Sequence, residues 1–345
     1  MKILVRAPFS DHSGYGIDAI GMVLALLQAG HDIQLLPTAL EVPIPPEIAD
    51  LLTIEPSPPF DLAIHFLSPD SCRLEQSLAE LSRINLWWSM WEWENFREGA
   101  AEQLKDDIQH YDFVVAFDEL SVQAFTPLLG ENAEIFQVQG GYIADLWEPF
   151  DHDLLPPTPF LFGMVGQMSA RKDPLAALVA FSQLREEKGD EFDAQMIIKT
   201  TQLFLPPGIE FPDVAMIYDN WRHPQLQSFY HSIGALVCPS RGEGKNLPAM
   251  EAVASGTPVI LSDISGHRQW AHPSFVRFVP THRQQFTGLW GRAVDVSDLK
   301  DAMWDVYSNR REWNHKATTY AQFLPRDMCW ETCIERLGRT IGLLL

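Results

Sequence analysis

The 345 residues carry 25 Lys and Arg against 46 Asp and Glu, a net charge of −21, and 46% of them are apolar. A chain of this length and composition fills two domains of ordinary size, each with a sizeable core. Its charge disfavours nucleic acid or an anionic membrane surface as a partner, and with no apolar run of 18 residues a membrane span is not expected.

The charge is unevenly spread. Residues 1–150 hold 6 Lys and Arg against 24 Asp and Glu, and residues 151–345 hold 19 against 22. The four cysteines, Cys72, Cys238, Cys329 and Cys333, are scattered; Cys329 and Cys333 stand four apart on a predicted helix with no histidine nearby and are expected to be buried thiols. The opening MKILVRAPFSDHSG reads as a first strand, not a signal peptide, so a cytoplasmic location is expected.

Taken in order, Lys2–Ala7 predicts a strand. A loop from Pro8 to Gly16 and a helix over Ile17–Ala29 follow, with Gly30 as its stop and a second strand at Ile33–Leu36. A glycine loop at a strand's C-terminal end lines ligand sites in doubly wound folds. This one is not G-x-G-x-x-G, and no acidic residue closes the second strand, which argues against a dinucleotide. Residues 37–60 are proline-rich and predicted irregular. Strands are expected at Asp61–Phe66, Ile84–Met90 and Phe113–Phe117, placing His65, the Trp91-Glu92-Trp93-Glu94 run and Asp118 at or near their C-terminal ends. Aromatics beside carboxylates suit sugars, by stacking and by hydroxyl hydrogen bonds.

Asp151–Pro159 reads as a linker. Beyond it come a strand at Phe160–Val165, a loop over Gly166–Pro174, a helix to about Glu187, and strands at Gln195–Ile198 and Val214–Tyr218. A short helix at Gln225–His231 leads to a strand at Ala235–Cys238 and the turn-rich loop Pro239–Lys245. Asn246 is placed as the N-cap of a helix over Leu247–Ser255, with Pro248 in its first turn and Gly256 as its stop. A strand at Pro258–Leu261 and a loop at Ser262–His267 follow. Two amphipathic helices over Asp295–Asn309 and Arg310–Leu324 precede a terminal helical segment, Asp327–Leu345.

Glu243 lies just before the Leu247 helix and Glu251 one turn inside it. Both can look onto the helix N-terminus, where free amide groups and the helix dipole favour an anion. A phosphate flanked by two acceptors for hydroxyl groups describes a nucleotide sugar.

The stretch Glu243-Gly244-Lys245-Asn246-Leu247-Pro248-Ala249-Met250-Glu251, continuing to Gly256-Thr257-Pro258-Val259-Ile260, resembles the E-x7-E segment of retaining GT-B glycosyltransferases of family four, E-G-F-G-L-P-x-x-E-A-M-A-x-G-x-P-V-I. Lys245 stands for Phe and Asn246 for Gly. Gly166-Gln167-Met168-Ser169-Ala170-Arg171-Lys172-Asp173 resembles that family's G-R-L-x-x-x-K-G loop, Ser13-Gly14-Tyr15-Gly16 the S-G-Y-G opening of one of its branches, and Gly141–Pro149 the segment that closes its first domain. The resemblance implies an α/β fold of two Rossmann-like domains facing each other across a cleft. Residues 1–150 would be the acceptor-side domain and 151–326 the donor domain, with 327–345 crossing back to the first.

For the site the resemblance implies that Glu243 contacts the transferred sugar, Glu251 the ribose and Lys172 the diphosphate, with Gly244, Lys245, Asn246 and Leu247 lining the donor. The family's Arg is Gln167 here, and Arg171, Lys199 or Lys245 could supply the missing charge. His65 is the counterpart of a histidine that touches the donor sugar, Gly14 faces the diphosphate, and Ser13, Tyr15, Trp91, Glu92 and Asp118 are acceptor-side candidates. With no Asp-x-Asp in a suitable loop, no metal or other cofactor is expected beyond a nucleoside-diphosphate sugar as co-substrate. The implied reaction is metal-independent transfer of a hexose, with retention, to an acceptor hydroxyl. UDP-sugar is the commonest donor among relatives, and the acidic front half favours a neutral or glycan-like acceptor. Three other readings compete: a phosphorylase or synthase of the same fold acting on glucans, for which the chain is short; a transferase acting on a hydroxymethylated DNA base; and an inactive nucleotide-sugar or glycan-binding module.

Overall fold

The computed structural model describes residues 1–9, 14–40, 46–130, 133–156, 158–202 and 211–345. Two compact units emerge. One comprises Met1–Ile143, Thr287–Leu289 and Asp327–Leu345; the other comprises Ala144–Phe286 and Trp290–Arg326.

The first unit is a six-stranded parallel sheet of order β2-β1-β3-β4-β5-β6, with β1 Lys2–Phe9, β2 Asp32–Leu40, β3 Leu62–Phe66, β4 Asn85–Ser89, β5 Phe113–Ala116 and β6 Glu134–Gln137. Strands β3 and β4 are buried on both faces, as parallel strands sandwiched by other elements must be. On one face the Gly14–Gln28 helix lays Ala19, Met22, Val23 and Leu26 against Ile3, Val5 and Ala7. The Trp330–Ile341 helix adds Trp330, Cys333, Ile334 and Leu337 to the same core. Trp330 meets Phe66 and Trp88 edge-on, at ring separations of 6.0 and 5.5 Å. Its indole lies where a Cβ on Gly21 would be, and a Cβ on Gly141 would stand 2.7 Å from its backbone. The two glycines therefore set how closely this helix can approach.

The second unit is another six-stranded parallel sheet, of order β12-β11-β10-β7-β8-β9. Its strands are β7 Phe160–Val165, β8 Ala194–Thr200, β9 Val214–Tyr218, β10 Ala235–Cys238, β11 Val259–Ser262 and β12 Arg277–Val279. Counted from β7, this is the doubly wound 3-2-1-4-5-6 arrangement, whose order reverses between β7 and β10. Loops leaving the carboxyl ends of those two neighbours meet at the switch point, where ligands of such sheets bind.

Three expectations need correcting. Residues 37–60 are not wholly irregular: β2 runs on to Leu40 and Pro46–Ala49 is a turn of helix. The first helix begins at Gly14, so Gly14–Gly16 belong to it and not to a loop. A hairpin, β13 Thr281–Phe286 and β14 Leu289–Val294, follows β12 where none was expected. Its two-residue turn, Thr287-Gly288, has positive φ at both positions, the geometry that closes tight hairpins.

Candidate functional site

The loop after β7 and the loop after β10 are joined by three cations on two carboxylates. Glu243, 5% exposed, accepts from Arg171 Nη1 at 2.7 Å on one oxygen and from Lys172 Nζ at 2.5 Å on the other. Arg171 Nη1 also donates to the Gly242 carbonyl oxygen at 2.7 Å. Arg241 places Nε and Nη2 on one oxygen of Asp173, each at 2.9 Å. Between the backbones, the Arg241 N–H donates to the Arg171 carbonyl oxygen at 2.8 Å.

Burial alone would raise the Glu243 pKa. The charges of Arg171 and Lys172 outweigh it, with a smaller contribution from His267, and hold the carboxyl well below the usual range. It is an ionised, charge-neutralised acceptor. An anion arriving at the helix N-terminus meets two cations already gathered.

The helix behind it spans Leu247–Ala254 with Pro248 in its first turn. Asn246 holds the N-cap position but does not cap through its side chain, contrary to expectation. Its backbone is left-handed, at φ 67 and ψ 72. Its side-chain Nδ2 instead donates to His267 Nε2 at 2.9 Å. Asparagine is among the few residues with a Cβ that accept this region, which accounts for it standing where the resembled pattern has Gly. Glu251, 5% exposed, accepts from the Tyr230 hydroxyl at 2.8 Å.

His267 is fully buried. Its Nδ1 lies 2.7 Å from the Ser262 carbonyl oxygen, which can only accept. The proton therefore sits on Nδ1, and Nε2 is free to accept from Asn246. Burial, only partly offset by the Glu243 charge, lowers its pKa to about 4. The Ser265–Arg268 turn that carries it rests on the Glu243 loop so closely that a Cβ on Gly266 would collide with the Glu243 carbonyl oxygen. Trp270 Nε1 donates to the Lys245 carbonyl oxygen at 2.6 Å and Gln269 Nε2 to that of Gly244 at 3.1 Å.

Of the other donor candidates, Lys199 lies near the end of β8, 7% exposed. Burial lowers its pKa, partly offset by Asp219 and Glu251. Lys245 and Leu247 are buried. Gln167 is exposed and donates to Gln202 at 2.9 Å.

In the first unit the expected residues meet different fates. Ser13 lies outside the described residues, and Gly14 is exposed at the helix start. The Tyr15 hydroxyl is 3.5 Å from Ser89 Oγ, and burial followed by the Glu92 charge raises its pKa. Trp91 is half-buried, stacked on Phe96 at 4.6 Å, its Nε1 donating to the Asn95 carbonyl oxygen at 3.1 Å. Asp118, fully buried, is the N-cap of the Glu119–Phe125 helix and accepts from the Ser121 amide at 2.9 Å. His65 is also fully buried, 3.4 Å from Asn85 Oδ1 and edge-on to Tyr111. Burial, then the nearby Arg6 charge, lowers its pKa to about 3. On β3 it points away from Phe66, the neighbour that contacts Tyr15. Its ring is enclosed by core neighbours of this unit.

Asp173, Arg241, Tyr230, Gly266 and His267 were not singled out from the sequence. One signal was present: Asp173, like Asn246, stands where the resembled patterns have Gly.

Residues 159–309 match the family model described as Glycosyl transferases group 1. A relative, the D-inositol 3-phosphate glycosyltransferase of Arthrobacter sp. (strain FB24), is 25% identical over 184 residues, covering 49% of this chain and 40% of the relative. The chain thus matches less than half the length of that protein. Sucrose-phosphate synthase from Thermosynechococcus elongatus superposes with a TM-score of 0.70 at 16% identity, covering 99% of this chain and 98% of that one. Anabaena Alr3699/HepE, solved with UDP and glucose, gives 0.70 at 14% identity with 99% of both chains covered. At these identities the likeness shows the fold, and the fold is GT-B: two doubly wound α/β units.

Proposed function

We propose that this protein is a retaining, metal-independent glycosyltransferase that moves a hexose from a nucleoside-diphosphate sugar, UDP-sugar above all, to a hydroxyl of a neutral or glycan-like acceptor. The observation that carries the reading is the Glu243 carboxylate, held ionised between Arg171 and Lys172 beside the N-terminus of the Leu247–Ala254 helix. A diphosphate bound there is met by both cations and by helix amides, which stabilise the charge that develops as it leaves. Arg171 is the replacement for the charge absent at Gln167, since it shares the Glu243 carboxylate with Lys172. Glu243 accepts from hydroxyls of the sugar, and Glu251, steadied by Tyr230, from the ribose. The departing phosphate takes the proton of the attacking hydroxyl, so no protein base is required. The UDP and glucose of the Anabaena structure support the donor class.

On the acceptor side Tyr15, Trp91 and Glu92 remain the candidates, and the acidic composition of residues 1–150 favours an uncharged acceptor. His65 and Asp118 have no part in this proposal.

The test is a panel of UDP-, GDP- and ADP-sugars read by thermal shift and by donor hydrolysis. A UDP-sugar is expected to raise Tm and to be hydrolysed slowly. A Tm shift without hydrolysis or transfer would instead favour the inactive binding module, and salt-dependent binding to duplex DNA the DNA-base reading.

A further inference from the structure

Among the described residues, four that are not glycine have positive φ: Asp173, Asp213, Asn246 and Thr287. Two of them bracket the charged centre, Asp173 directly after Lys172 and Asn246 three residues after Glu243. The patterns this chain resembles carry Gly at both places, and Gly enters this region without cost. Here each left-handed residue is instead gripped by a side chain from another loop.

Arg241 grips Asp173 with two nitrogens on one oxygen, and Asp173 is 5% exposed. Arg241 is itself anchored, its guanidinium over the Phe286 ring at 3.7 Å. Its amide donates to Arg171 and its carbonyl accepts from Arg292, each at 2.8 Å. His267 grips Asn246 from the other flank, and its own orientation is fixed by the Ser262 carbonyl. Asp173 and Asn246 are both buried, and a buried polar side chain released from a strong partner no longer holds a strained backbone.

We propose that Arg241 and His267 are positioning residues for the group-transfer site, acting through Asp173 and Asn246 respectively. Each is a latch that keeps a loop in the left-handed turn that aims Lys172 on one flank and the Glu243–Leu247 segment on the other. The proposal rests on the reading of these loops as the donor site. Once the gripped residue is glycine, which needs no holding, the latch becomes dispensable.

Double-variant cycles on the full chain test this. Arg241→Ala is expected to lower kcat for UDP-sugar turnover by about tenfold, the scale of a lost charged hydrogen bond. Asp173→Gly alone is expected to stay within about threefold of the parent, and Arg241→Ala in the Asp173→Gly background to cost no more than about threefold further. Asp173→Ala, left-handed with a Cβ and no grip, should lose as much as Arg241→Ala. On the other flank Asn246→Ala should lose more than Asn246→Gly, and His267→Gln should cost less in the Asn246→Gly background than in the parent. Equal losses from Arg241→Ala in both backgrounds, or equal activity of the alanine and glycine variants, would overturn the latch. Amide exchange of the 166–173 and 241–247 loops gives a readout without substrate. Exchange should quicken in Arg241→Ala and return toward the parent in the double variant. Restored protection in a protein that turns over no nucleotide sugar would keep the latch and sink the donor reading; unchanged protection would sink the latch. If His267→Gln fails to fold, the Asn246 alanine–glycine comparison decides that flank.

Discussion

The carboxyl ends of the two sheets make an instructive pair. In the second unit polar residues there pair with each other between different elements: Glu243 with Arg171 and Lys172, Asp173 with Arg241, Asn246 with His267, Glu251 with Tyr230. In the first unit residues of the same kinds, chosen by the same strand-end logic, are taken up by the fold. Asp118 caps a helix, and His65 lies in the core. A polar residue at a strand end is available for chemistry only where no local backbone or ring has claimed it.

The contrast is broken most strongly at Glu243. Glu243→Gln and Lys172→Ala are each expected to lower transfer by roughly a hundredfold or more, the scale of losing a group that stabilises transition-state charge, with a circular dichroism spectrum like the parent's. Full activity in Lys172→Ala would show that the diphosphate is held elsewhere. Asp118→Ala is the mirror experiment. It should cost about 0.5–2 kcal/mol of stability, as lost N-caps do, in urea unfolding of the first unit, and leave kcat within about twofold. A large fall in kcat at unchanged stability would return Asp118 to the acceptor site.

The smallest effect concerns pH. His267 and His65 have pKa values lowered to about 4 and about 3 in the fold. The unfolded chain therefore binds protons there below about pH 6.5 while the native state does not, and stability falls as pH drops from about 6.5 toward 4. Glu243, lowered as well, adds its loss only below the usual carboxylate range, near 4.3. His267→Gln should flatten the dependence of Tm on pH between 6.5 and 4; an unchanged slope would show that His267 does not carry it.

The strands of the second unit were legible because each is a short apolar run between turn residues, and Phe160–Val165, Val214–Tyr218 and Ala235–Cys238 begin and end where the pattern puts them. The Glu243–Glu251 segment was legible through its helix signals. Its interior was not. An N-cap preference marks Asn246 as a cap, whereas its side chain serves His267, 21 residues on. Arg241 and Asp173 are 68 residues apart, and nothing local to either predicts the other. The Thr281–Val294 hairpin went unseen because its exposed strand, THRQQF, has no apolar alternation and its turn no Asn-Gly or Asp-Gly.

The position of Trp330 has a consequence for synthesis. The second unit has all its residues once Arg326 is made, whereas the first, whose strands β1–β6 precede it in the chain, lacks Trp330, Cys333, Ile334 and Leu337 of its core until later. The half that starts first therefore finishes last, with Phe66, Trp88 and the Gly21 notch uncovered while the whole second unit is translated, an interval of roughly 10–40 s at ordinary elongation rates.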